Sequence, residues 1–252
     1  MDIKNKIYCW WLNEEDMSDN RKRSLDNLIS VSGCEVIFIT KDSLDSFILK
    51  DYPLHEGYQY LSEIQKGDYL KCYFMHHYGG GYSDIKKTLG PWSSFFDDLR
   101  IDKNIYAIGY SEADPGHVAR LENCTLNPKN SKYCLEFTTD SDGNNWSSEH
   151  LKNNWNLLIG NGAFICKKNT PFTLDWWLGL NEKMDGYLEL IKDNPSSWPR
   201  DSREHINPKT NLPSKYPISW AVLNGNIFHP LTLKYKNNIK RNLHYPVVTN
   251  YQ

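Results

Sequence analysis

The chain has 252 residues, 29 Lys and Arg against 31 Asp and Glu, and a formal net charge of −2, so as a whole it presents no electrostatic footprint for nucleic acid. A chain of this length buries most of its unfolded surface without metals or disulfides, and its six cysteines are scattered singly, with no zinc-type spacing, which points to reduced thiols. The start MDIKNKIYCWWLNEEDM has no leader-like apolar core, and no run approaches the roughly 18 apolar residues of a membrane span, so a cytoplasmic, non-spanning protein with no nucleic-acid partner is expected.

KIYCWW (Lys6 to Trp11) is a β-rich run, RKRSLDNLISV (Arg21 to Val31) has helical spacing at Leu25, Leu28 and Ile29, and EVIFIT (Glu35 to Thr40) reads as a buried strand. Together they predict a βαβ unit. Asp42 reads as the N-cap of a short helix carrying Leu44, Phe47 and Ile48. Ser62 and Gln65 have the spacing of a capping box, and Leu70, Tyr73, Phe74, His77 and Tyr78 follow with helical periodicity until Gly79 to Gly81 stop the helix. On that helix Asp68 and Lys71 are neighbours, and His77 reads as a core histidine on the apolar stripe. The extended GYSDI that follows puts Tyr82 and Asp84 on one face, with Asp84 near the carboxyl end of a strand, where open α/β sheets hold ligands.

Pro91 opens a short predicted helix and Asn104 to Tyr110 a strand. The polar stretch from Ser111 to Asn154 reads as long loops over a site, with Asp140, Asp142 and Glu149 as candidates for a base. WNLLIGNGAFICKK (Trp155 to Lys168) predicts two strands around Gly160-Asn161-Gly162, and Pro171 to Ile191 a helix. YPISWAVLNGNIFHPL (Tyr216 to Leu231) predicts a helix ended by Asn224-Gly225 and then a strand reaching His229. The 9 Trp and 16 Tyr suit either stacking on sugars and bases or a large-residue core. No G-x-S-x-G, Walker A or H-E-x-x-H pattern occurs.

Glycines tolerate positive φ, so a glycine run ahead of an exposed acid lets the backbone approach a ligand closely, or simply caps a helix before a turn. The run GDYLKCYFMHHYGGGYSDIK resembles the sugar-nucleotide-binding segment of the DXD-containing bacterial and fungal glycosyltransferases, a group that includes capsular-polysaccharide and mannosyl-chain enzymes and, more distantly, the clostridial glucosylating toxins. Asp68, Tyr82 and Asp84 match the family's first acid, its tyrosine and the first DXD acid, while Lys71 replaces an arginine and Lys86 the last DXD acid. Leu157 to Phe172 and Tyr216 to Pro230 resemble the capsule-type members more thinly.

The resemblance implies a single α/β domain of GT-A type over 1–252, with a Rossmann-like nucleotide-sugar half of mixed sheet (about 1–110) and a variable acceptor half (111–252). It also implies hexosyl transfer, with retention, from a nucleoside diphosphate sugar to a glycan or lipid-linked oligosaccharide of a capsule, O-antigen or lipooligosaccharide, and peripheral association with the inner membrane. Donor binding falls to Trp10, Trp11, Asp68, Lys71, Tyr82, Asp84 and His229, and the catalytic roles to Asp84, Lys86 and Asn161. A family Mn²⁺ or Mg²⁺ is expected on Asp84 and His229, yet an ammonium cannot ligate a cation. Two readings follow: Lys86 as diphosphate clamp with reduced metal dependence, or a retained metal with Lys86 turned outward. The alternative from another class is a non-catalytic glycan- or nucleotide-sugar-binding protein on the same scaffold. A sugar-phosphate hydrolase with Asp84 as nucleophile lacks the usual second Asp.

Overall fold

Alternation along β1 (Lys6–Trp11) sends Ile7 and Cys9 into the core on one face of the sheet and Tyr8 and Trp10 toward the other. In the computed structural model, which describes residues 3–121 and 147–249, this strand pairs in parallel with β2 (Glu35–Thr40) through the intervening helix α1 (Asp19–Val31). The predicted βαβ unit is therefore present.

Helix α2 (Glu63–His77) leads into β3 (Gly80–Ser83), which pairs in parallel with the other edge of β1. Then come α3 (Ser93–Ile101), β4 (Ala107–Ser111), the short α4 (Ser148–Asn153), β5 (Ile159–Cys166), α5 (Pro171–Asp193), α6 (Gly225–Lys234) and β6 (Ile239–Lys240). The sheet order is β2-β1-β3-β5-β4-β6, and β5 alone runs against its neighbours. This is a mixed α/β sheet compatible with a Rossmann-like fold. It draws on both predicted halves, since β5, from beyond residue 110, lies between β3 and β4.

One face carries Leu28 of α1 with Trp92, Phe96 and Leu99 at α3; the other carries the buried faces of α2, α5 and α6, including Phe74, Trp176 and Phe228. Among the described residues no helix is long and apolar enough to cross a membrane. Cys9, Cys34, Cys72 and Cys166 are free thiols.

Several local expectations are corrected. Ser62 does occupy the N-cap of α2, but no capping box forms: its hydroxyl is buried without a partner, and Gln65 instead bonds Tyr216 and the Ser219 carbonyl. A tertiary contact more than 150 residues away thus displaces a local one. The segment after Asp42 forms only a 3₁₀ turn, Leu44–Phe47, with Ser43 at its N-cap, and α3 starts at Ser93, two residues past Pro91.

Ile159 to Cys166 is one continuous strand rather than two around a turn. Its glycines answer to packing: a Cβ on Gly160 would lie 2.1 Å from the Tyr110 ring, and one on Gly162 3.1 Å from the Tyr110 hydroxyl. Asn224-Gly225 begins a helix instead of ending one, and His229 lies within α6. That helix is buried from Gly225 to Leu233, and an apolar run buried on all sides carries no periodicity to separate helix from strand.

Candidate functional site

The chain must reverse between α2 and β3 within two residues, and Gly79 (φ 66°) and Gly80 (φ 103°) supply the left-handed backbone for it. Their Cβ positions are also closed, 2.9 Å from the Lys168 nitrogen and 3.0 Å from the Lys6 carbonyl. β3 is thereby drawn against β1, and Asp84 emerges just beyond its carboxyl end, held by its own N–H donating to the Gly162 carbonyl at 2.7 Å.

Both Asp84 oxygens are engaged. Oδ1 accepts from the Tyr82 hydroxyl at 2.5 Å and lies 3.8 Å from Lys71 Nζ, while Oδ2 accepts from Lys86 Nζ at 2.7 Å. One helical turn of α2 contributes the second pair: Lys71 Nζ donates to Asp68 Oδ1 at 3.0 Å, and Asn224 Nδ2 donates to the same oxygen at 2.9 Å. Asp68 Oδ2 has no hydrogen-bond partner among the described residues. Two carboxylates and two ammonium groups thus form one chain, Asp68–Lys71–Asp84–Lys86, in which the charges cancel. Lys71 also lies 5.0 Å from the centre of the Tyr82 ring.

Burial pushes the Asp84 carboxyl upward, but the charges of Lys71 and Lys86 and the two hydrogen bonds outweigh it and hold the group at about 2. The Tyr82 hydroxyl, raised by burial and by Asp84, stays a donor. Burial raises Asp68, opposed by Lys71 and Asn224, and Lys71 stays charged because Asp68 and Asp84 together overcome the burial that would neutralise it.

These groups form one wall of a cleft of ≈ 910 Å³. Of the residues expected from the sequence, Trp10, Trp11, Asp68, Lys71, Tyr82, Asp84, Asn161 and His229 all line it; Lys86 stands behind Asp84, reaching the cleft only through the carboxylate it holds. Trp10 and Trp11, adjacent on β1, point to opposite faces. Trp10 packs on Tyr82 at 4.6 Å and Phe74 at 5.8 Å, and Trp11 lies under Arg21 at 6.0 Å. Asn161, half-buried, lies between the two glycines that admit Tyr110.

His229 reaches the cleft from α6 but is oriented from behind. Its Nδ1 accepts from the Ala119 N–H at 3.0 Å, so the proton of the neutral ring is on Nε2, 3.3 Å from Oε2 of the buried Glu112. The remaining base candidates separate: Glu149 lies exposed in the first turn of α4, away from the cleft wall, and Asp140 and Asp142 lie outside the described residues. His77 packs against Tyr52, Tyr73 and Trp177, as a core histidine does.

This donor set leaves no open carboxylate–histidine pair for a divalent cation. Lys86 Nζ stands beside Oδ2, the Tyr82 hydroxyl occupies Oδ1, His229 faces Glu112, and among the described residues no group of three or more His, Cys, Asp or Glu is placed to hold a metal. In this arrangement the residues do not fit a resident divalent cation.

Sequence reasoning missed Arg21, whose Nη1 donates to the Ile85 carbonyl at 2.9 Å beside the site, and Asn224, which fixes Asp68. It also missed Arg200, His205 and Trp220 on the cleft rim, where Arg200 lies 5.6 Å from the Trp220 ring. Arg21 opens the predicted helical segment RKRSLDNLISV, but nothing local ties it to Asp84. No protein-family model matches the chain, and no curated protein matches it. Fold and site together define an α/β protein with a polar, aromatic-edged cleft at the carboxyl ends of its parallel strands.

Proposed function

We propose that the protein is a GT-A type glycosyltransferase that moves a hexosyl group from a nucleoside diphosphate sugar to a surface-glycan intermediate. The observation that carries this reading is the trio Asp68–Lys71–Asp84 on the wall of the cleft, backed by Lys86 and beside two tryptophans at the end of β1. Such a wall offers flat rings for a base, hydrogen-bond acceptors for ribose and sugar hydroxyls, and ammonium donors for a diphosphate.

In this reading the base stacks on one of the two tryptophans, which point to opposite faces, and Asp68 Oδ2 accepts from a donor-sugar hydroxyl. Transfer breaks the bond from the anomeric carbon to the diphosphate oxygen, forms one to the acceptor oxygen, and moves the acceptor's proton to the departing side. Charge grows on the diphosphate, and preorganised N–H donors that need no reorientation lower the barrier most. An ammonium carries three donors. Lys71 lines the cleft and donates to the diphosphate directly in this reading, while Lys86, behind Asp84, offsets that carboxylate's charge toward the diphosphate. Because the four charges cancel, the positive excess comes from Arg21, already aimed at this end of β3.

The test is to incubate the protein with a panel of nucleoside diphosphate sugars and measure released nucleoside diphosphate, with EDTA and with Mn²⁺. Release in EDTA, abolished in Lys86→Ala, is the expected result. Binding with no release under any metal condition marks a non-catalytic sugar-nucleotide binder. Turnover intact in Lys86→Ala but abolished by EDTA places a metal where the lysine charges are proposed to act.

A further inference from the structure

Between α5 and α6 the chain turns back on itself at 205–214: Ser214 N donates to the His205 carbonyl at 2.9 Å, Asn207 N to the Leu212 carbonyl at 2.8 Å, and Ile206 bridges Pro213. The turn is closed by Asn207 Oδ1, which accepts from Lys209 N and Thr210 N, and by Asn211 at φ 55°. This small hairpin displays its apolar side chains to solvent, Ile206 at 61% and Leu212 at 63% exposure. The two stand at adjacent positions of the ladder and so point to opposite faces. Asn207 and Ser214 tie the hairpin to Ser197 and the buried Asp201, which leaves Ile206 and Leu212 in solvent on either side.

Charge around the hairpin is predominantly positive, although the chain as a whole is slightly negative. Arg203, Lys209 and Lys215 are exposed and have no carboxylate partner among the described residues. Of the acids of the same segment, Asp201, 2% exposed, is turned inward and accepts from Ser197 and Ser214, while Glu204 is exposed on the cleft side and accepts from the Trp220 N–H. At its root Arg200 and His205 join Trp220 in forming the rim of the cleft.

We propose that this hairpin docks the protein on an anionic lipid bilayer, inserting Ile206 and Leu212 among the headgroups while Arg203, Lys209 and Lys215 lie against lipid phosphates. A folded protein partner needs a continuous apolar patch on one face. Here the apolar groups lie on opposite sides of a thin tip, a shape that suits a fluid interface closing around both sides. Because the root of the hairpin is the rim of the cleft, a docked bilayer brings lipid-borne molecules to the cleft mouth. Docking rests on the hairpin's exposure and charge and is independent of the proposed transfer reaction.

The experiment is vesicle flotation of the whole protein without nucleotide, on phosphatidylglycerol–phosphatidylcholine and on pure phosphatidylcholine vesicles. Wild type is expected to float with the anionic vesicles and to be released from them by raised salt. At about fivefold per lysine near a charged surface, Lys209→Glu with Lys215→Glu lowers partitioning by about 30-fold or more. Ile206→Ser with Leu212→Ser lowers it by roughly tenfold or more, and both double variants keep the wild-type melting curve because all four side chains are exposed. Wild type that fails to float with anionic vesicles, or that binds neutral ones equally and without salt dependence, overturns the proposal. So do variants that float as wild type does. Sugar-transfer results bear on none of these outcomes.

Discussion

Replacing Asp84 by Asn removes one charge from the middle of the Asp68–Lys71–Asp84–Lys86 chain with almost no change of shape. The carboxyl is held at about 2, against an ordinary 3.8, so its ionised form is favoured in the folded protein. A folded value below the unfolded one contributes stability that is fully present above the unfolded value and is lost as pH falls from about 4 through about 2. That difference is worth about 2 kcal/mol at neutral pH. Lys86, left with a neutral partner in a half-buried setting, adds to the cost in the variant. Urea denaturation at pH 7 is expected to show Asp84→Asn less stable by about 2 to 3 kcal/mol, with the gap narrowing as both proteins are taken toward pH 2. Equal stability at pH 7, or a gap independent of pH, would refute the electrostatic reading of the site.

His77 gives a separate acid window. Burial, and then the neighbouring His76, lower it to about 4, so the folded state resists a proton that the unfolded chain binds below about 6.5. Stability is therefore expected to fall as pH drops from 6.5 to 4, by about 1 to 3 kcal/mol after allowance for partial exposure, and His77→Gln reduces that slope in a pH series of melts, leaving the part due to His76, which burial also lowers. Gly160→Ala puts a methyl 2.1 Å from the Tyr110 ring, so the strand or the ring must move. A loss of about 3 kcal/mol or more is expected in denaturant titration, and Tyr110→Ala in the same chain should recover part of it.

Much of the site was legible because its parts lie close together in sequence. Asp68 and Lys71 are one helical turn apart, Tyr82 and Asp84 share a face by strand alternation, and the glycines between them announce the reversal. The first βαβ unit was legible for the same reason: its periodicities are local. What stayed hidden depends on distant partners. Asn224 looked like a turn residue until the fold brought it against Asp68, 156 positions away. The Gly160 and Gly162 pair looked like a hairpin turn, whereas the Tyr110 side chain explains both. Gln65 was spent on Tyr216 and Ser219 in place of the cap its spacing suggested. Helix α6 gave no pattern to read because every residue through Leu233 is buried.

Calorimetric titration of nucleoside diphosphates and their sugars in EDTA tests the central claim most directly, since it asks whether this acid–ammonium wall holds an activated sugar without a metal. The account predicts saturable binding of at least one nucleoside diphosphate sugar by wild type, weakened about tenfold or more in both Lys86→Met and Asp68→Asn. Absence of binding by any of them, or the same affinity in both variants as in wild type, contradicts it.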